Sequence, residues 1–130
     1  MFNVIDGRTI ELTRGDMMPL TLSPTNKDET PYEFKVGDIV RITVHEKNKV
    51  QNIMIQKDFE VKESCTEFDI ELTAEETKIG DYISKPVDYW YEIEINPDTP
   101  YVNTIVGYDR TLGPAVFWLL PEGGKINAQN

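Results

Sequence analysis

The chain carries one cysteine, Cys65, and one histidine, His45. A lone thiol closes no intramolecular disulfide, so the fold rests on its apolar core and suits a reducing compartment or one indifferent to redox. Together the two residues offer at most two soft ligands, where a structural zinc site needs about four. Long apolar runs are also missing: nothing approaches the ~20 residues of a membrane span. The start, Met1-Phe2-Asn3-Val4-Ile5-Asp6, has neither the basic nor the apolar region of a signal peptide. Cytoplasmic synthesis is expected, without membrane insertion or export. Basic residues are scarce: 13 Lys and Arg face 23 Asp and Glu, and the net charge of −10 repels a phosphate backbone, which argues against nucleic-acid binding. The acids are dispersed rather than gathered in a tail, the pattern of a solvated outer face.

What the sequence has is alternation. At 130 residues it fits one domain, with a core expected over about 9–121 and a flexible tail over 122–130. In Val87 to Ile95, Tyr89, Tyr91, Ile93 and Ile95 fall on one side and Trp90, Glu92 and Glu94 on the other. That period of two predicts a half-buried central strand, stopped by Asn96-Pro97-Asp98. Thr9 to Leu12 reads as a short strand after a possible N-terminal arm, and Met17 to Ser23 as an edge or bulged strand because of Pro19. Ile39 to Glu46 alternates cleanly, with Val40, Ile42 and Val44 inward and Arg41, Thr43 and His45 toward solvent. Ile53 to Val61 places Ile53, Ile55, Phe59 and Val61 on one face, interrupted by Lys57, which can snorkel at a rim. Glu67 to Leu72 and Tyr101 to Tyr108 repeat the pattern. Thr73-Ala74-Glu75-Glu76 has the spacing of a capping box and predicts one short helical turn ending near Gly80. The whole reads as an all-β antiparallel sandwich of seven or eight strands.

Ala115-Val116-Phe117-Trp118-Leu119-Leu120 breaks the pattern, with six apolar residues in a row. One face of a strand needs only half of them, so something must cover the other. Burial of a Trp and two aliphatic side chains is worth on the order of 5 kcal/mol at about 25 cal/mol per Å2. Val116, Trp118 and Leu120 are therefore the candidate interface residues.

Other residues carry groups capable of chemistry. His45 has no evident catalytic partner, and the acidic neighbours of Cys65 raise a thiol pKa rather than lower it. Arg14-Gly15-Asp16 spells a tripeptide that integrins read, but a turn before the next strand accounts for it. Asp69 and Glu71 share a face with nothing to separate acid and base roles. Asn96, Asp98 and Asp109 are hard oxygen donors, yet calcium needs about six to eight oxygens and no EF-hand spacing is present. Trp90 beside Tyr89 and Tyr91, together with Trp118, could stack on sugar rings, though core or interface is the commoner use of such rings. No catalytic, cofactor or metal residue is assigned.

The order of elements resembles one family. Arg14-Gly15-Asp16 before a strand, Phe34 to Val44, the corner Leu72-Thr73-Ala74-Glu75-Glu76-Thr77, Gly80-Asp81-Tyr82 with Tyr89-Trp90-Tyr91-Glu92-Ile93, and Thr104-Ile105-Val106-Gly107 follow one another. In that order they are similar to the N-terminal domain of the upper baseplate protein of lactococcal phages and its short prophage relatives. The likeness covers about residues 10–121. It departs at an insertion around Ile83 to Asp88, and no second domain follows, which predicts a stand-alone small protein. The resemblance implies an immunoglobulin-like β-sandwich in the virion, a tail or baseplate part that forms homo-oligomers and binds other tail proteins; it brings no catalytic residues. A carbohydrate-binding β-sandwich module is the alternative.

Overall fold

The computed structural model describes residues 2–5, 7–80 and 83–122. They form nine strands: β1 (Phe2–Ile5), β2 (Thr9–Thr13), β3 (Met18–Leu22), β4 (Ile39–Glu46), β5 (Lys49–Glu60), β6 (Phe68–Leu72), β7 (Val87–Ile95), β8 (Asn103–Val106) and β9 (Val116–Leu120). The larger sheet runs β1-β2-β9-β7-β4-β5, with β8 also paired to β7, and β3 and β6 make a separate two-stranded sheet. Apolar faces of both sheets meet in one core cluster. The architecture is thus all-β and consistent with a sandwich.

β7 is the central strand, as its alternation predicts. Tyr89, Tyr91, Ile93 and Ile95 are buried. One edge pairs with β4 over its length, from Val40↔Ile95 to Glu46↔Tyr89. The other edge is shared, β9 taking Val87 to Trp90 and β8 taking Ile93 to Ile95. Asn96 ends the strand at φ 53°, and its amide group returns to β4: Oδ1 accepts from Ile39 N at 3.1 Å. The two-stranded sheet contributes Met18, Leu22, Ile70 and Leu72 to the core, and Phe34 packs on Phe68 with ring centroids 5.4 Å apart. Pro19 sits exposed in β3, which pairs with β6 alone; that edge position tolerates a residue without an N–H.

Several expectations change. The sheet is mixed rather than antiparallel, because β2 pairs in parallel with β9, Ile10↔Phe117 through Thr13↔Leu120. The N-terminal arm is a strand, β1, antiparallel to β2. Among the described residues there is no helix. The capping-box bonds do form, Thr73 N donating to Glu76 Oε1 at 2.8 Å and Glu76 N to Thr73 Oγ1 at 3.2 Å, but they close a turn that does not continue. Asp109 to Gly113, by length and its glycine a hairpin-sized connection, does not join paired strands: β8 and β9 each pair with β7, and Asp109 and Gly113 close the connection as an isolated bridge. Ile53 is exposed, because the β4–β5 register shifts between Val44↔Ile55 and His45↔Ile53. Met54 is the extra residue of that bulge and puts Ile53 on the outer face, and a second shift follows between His45↔Ile53 and Glu46↔Lys49. Beyond the bulge Lys57 does leave the inner face, its Nζ donating to Glu71 O at 3.0 Å and Glu76 Oε1 at 2.8 Å. Asp81 and Tyr82 of the motif, and the expected tail apart from Glu122, lie outside the described residues.

Two motif segments clasp one another. Thr77, fully buried, donates from Oγ1 to Asp16 O at 2.8 Å and accepts from Gly15 N at 3.1 Å. Arg14 Nε donates to Ile79 O at 3.0 Å and its Nη2 to Gly80 O at 2.8 Å, while Nη1 pairs with Glu122. Gly15 takes φ 89°, a conformation that excludes most side chains. Arg14-Gly15-Asp16 is therefore a structural corner, with its guanidinium already engaged.

Candidate functional site

The parallel pairing with β2 and the antiparallel pairing with β7 fix the faces of β9. Phe117 and Leu119 point into the core, fully buried, and Val116, Trp118 and Leu120 point the other way and are half-buried. Outer-face neighbours follow from register: Trp118 lies between Glu11 of β2 and Asp88 of β7, Leu120 beside Thr13, and Val116 beside Trp90. The row continues from Trp90 to His45 of β4 and on to Ile53 of β5. The three residues singled out in the sequence thus share one face of the larger sheet and adjoin a fourth large apolar group, Trp90.

Trp90 parts company with its neighbours. Tyr89 and Tyr91 face the core, so the three rings make no common platform. Tyr91 Oη donates to Arg8 O, and burial pushes its hydroxyl up to about 12. The rings on the outer face are Trp90, diagonal to Trp118 across the β7–β9 pair, and Tyr108, 73% exposed at its edge.

Sequence reasoning missed His45. Expected at a solvent face, it is 2% exposed. The bulged start of β5, where Val50 to Asn52 intervene between partners of β4, and the edge of Trp90, 6.4 Å away between ring centroids, account for its cover. A depression of about 140 Å3 remains, lined by His45, Val50, Trp90, Glu92, Tyr108 and Pro114 among others. Only the bulge could have signalled this, and alternation alone does not reveal a bulge. A larger cleft of about 410 Å3 is lined by Leu20 and Leu22 of β3, by Ile10 and Ile93 of the larger sheet and by the half-buried Ile105 and Val106 among others.

The remaining candidates are occupied structurally. Asp98 binds Arg41 Nη1 at 2.9 Å, and Arg41 also holds Asp58 through two bonds of 2.7 and 3.0 Å, which keep that carboxyl below the usual range. Asp109 Oδ1 accepts from Thr111 N and Leu112 N within its own turn, and its carboxyl is likewise lowered by those bonds. Asn96 binds Ile39 and Asp38. Among the described residues, no group of three His, Cys, Asp or Glu could hold a metal. Cys65 is half-buried, its backbone bridged to Phe34. Asp69 accepts from Thr21 Oγ1 across the β3–β6 pair. Comparison with protein-family models, with curated proteins and with solved structures finds no match to this chain.

Proposed function

We propose that this chain is a structural or assembly protein of a phage or prophage tail or baseplate, acting in the virion through protein–protein contacts. It forms homo-oligomers and docks on other tail proteins, after synthesis in the bacterial cytoplasm. The observation that carries the reading is the outer face of β9: Val116, Trp118 and Leu120 lie together beside Trp90 on the face turned away from the core, which no second sheet of the described residues covers. Oligomer interfaces are enriched in such aromatic and aliphatic groups relative to free surface. The ordered motifs supply the biological setting, and the contact between Thr77 and Gly15 joins two of them in space.

An immunoglobulin-like topology belongs to the same reading. β9, β7 and β4 are neighbours in one layer, and β3 and β6 pair in another, which suits strands G, F and C against B and E of that sandwich.

Light scattering on the purified chain and on Trp118→Glu tests the proposal. The wild-type chain should run as an oligomer and the variant as a folded monomer. A monomeric wild type, with a variant that unfolds, places Trp118 in the fold's own packing and removes the assembly role of this face.

A further inference from the structure

We infer that Glu11 and Asp88 act as an electrostatic brake on the pairing of two copies of this chain through the outer face of β9. The inference rests on the reading of that face as an assembly surface and names what sets the strength of its self-association. Trp118 stands in one cross-strand row between Glu11 of β2 and Asp88 of β7. Neighbouring strands lie about 4.7–4.9 Å apart, so the central ring of the patch has a carboxylate close on either side. Glu11 is half-buried and Asp88 exposed. Neither makes a hydrogen bond or ion pair with another described residue, in contrast with Asp58 and Glu76, whose charges are met by Arg41 and Lys57. No cation lies in the patch. Its other outer-face side chains are Thr13, Val116, Leu120 and Trp90, and beyond Trp90 along β7 Glu92 and Glu94 add the same sign. The basic residues that flank these strands, Arg8, Arg14, Lys47 and Lys85, lie past the strand ends. Arg8 and Arg14 are held by carbonyls, Gly107 O and Gly113 O for the first, Ile79 O and Gly80 O for the second. Neither lysine forms an ion pair with Asp88.

Symmetry turns this arrangement into repulsion. Closed pairs of identical chains are mostly twofold, and a twofold contact sets the same patch of both copies face to face. Each copy then brings Glu11 and Asp88 to the contact that buries Trp118, and the patch opposite offers no cation to meet them. Charges withdrawn from water without partners oppose association, and like charges set against each other oppose it again. The apolar groups drive the contact and the two carboxylates limit it. Self-association through this face is therefore weak and reversible, and it tightens when the two charges are removed.

Sedimentation equilibrium of the full chain at neutral pH tests the brake. Glu11→Gln with Asp88→Asn keeps the shapes and removes both charges. Glu63→Gln with Glu67→Gln, at exposed positions ahead of β6 in the other sheet, changes the net charge equally and is the control. The Glu11→Gln, Asp88→Asn chain should self-associate roughly tenfold more tightly than wild type, and the control less than about twofold. Adding Trp118→Glu, or Leu120→Glu where that variant does not fold, should cancel the gain. Three results overturn the inference: no tightening in the Glu11→Gln, Asp88→Asn chain; a gain that the control matches, which assigns the effect to net charge; or weaker association, which means that an exposed cation of the second copy, such as Arg110, pairs with these carboxylates. Wild-type association that Trp118→Glu abolishes and the paired amides leave unmoved ends the brake and keeps the assembly face. Association that survives both Trp118→Glu and Leu120→Glu, or monomers throughout, ends the assembly face itself and the brake with it.

Discussion

At the scale of single residues, Thr77 shows how a weak motif becomes a fixed point. Its hydroxyl both donates, to Asp16 O, and accepts, from Gly15 N, while fully buried. Thr77→Val keeps the shape and removes both bonds, leaving a backbone N–H and a C=O without that partner, so a loss of about 1–3 kcal/mol is expected in urea unfolding. Thr77→Ser should recover most of it, and a neutral Val variant would mean that the corner is held by Arg14 alone. Tyr91 acts through its proton. Burial raises its folded pKa to about 12 from an ordinary value of 10.0. The unfolded chain ionises first as pH rises, so the stability linked to Tyr91 is full below 10.0 and lost as pH climbs toward about 12. Unfolding midpoints should fall over that window and do so less steeply in Tyr91→Phe; equal slopes would assign the alkaline loss to other groups.

At the scale of elements, strands whose one face meets the core were legible, and breaks in register were not. β7 and β3 appear almost as alternation places them, because burial imposes a period of two and Asn96-Pro97 or Pro19 marks where pairing fails. The two faces of β9 were legible too, since six apolar residues exceed what one face buries. β5 was legible only from Ile55 onward, because Met54 adds a residue that composition does not flag and Ile53 turns outward. The parallel partnership of β2 was invisible, as pairing direction leaves no trace in a five-residue strand. His45, and with it the depression, was hidden for the same reason as Ile53: its cover comes from the bulged hairpin and not from its own strand. Deleting Met54 tests this. Ile53 should then turn inward against a core that has no room for it, and stability should fall by about 2 kcal/mol or more. An unchanged urea midpoint would show that the hairpin tolerates either register, and that the bulge does not fix the cover of His45.

At the scale of the whole molecule, two electrostatic effects oppose each other. Arg41 with Asp58 and Asp98, Lys57 with Glu76 and Lys78 with Glu75 are attractive pairs, most with at least one partner well exposed. Such pairs are worth about 0–1 kcal/mol each and weaken in salt. Against them stands the repulsion of a chain at −10, which salt also weakens and which acts over the whole surface. If repulsion outweighs the pairs at neutral pH, raising sodium chloride to roughly 1 M, where the Debye length is about 3 Å, raises the urea midpoint; that is the expected outcome, and a fall would show that the pairs dominate. Acid reverses the balance. Hydrogen bonds from Arg41 and from Lys57 hold Asp58 and Glu76 below their ordinary values of 3.8 and 4.5. The unfolded chain therefore takes up protons first, and the stability these two carboxylates carry is full above 4.5 and lost as pH falls through their folded values. Down to the isoelectric point near 4.5, falling pH mainly relieves repulsion. The stability profile should thus rise from neutral pH toward weak acid and then drop, and the drop should shrink in Arg41→Gln, where Asp58 titrates nearer its unfolded value.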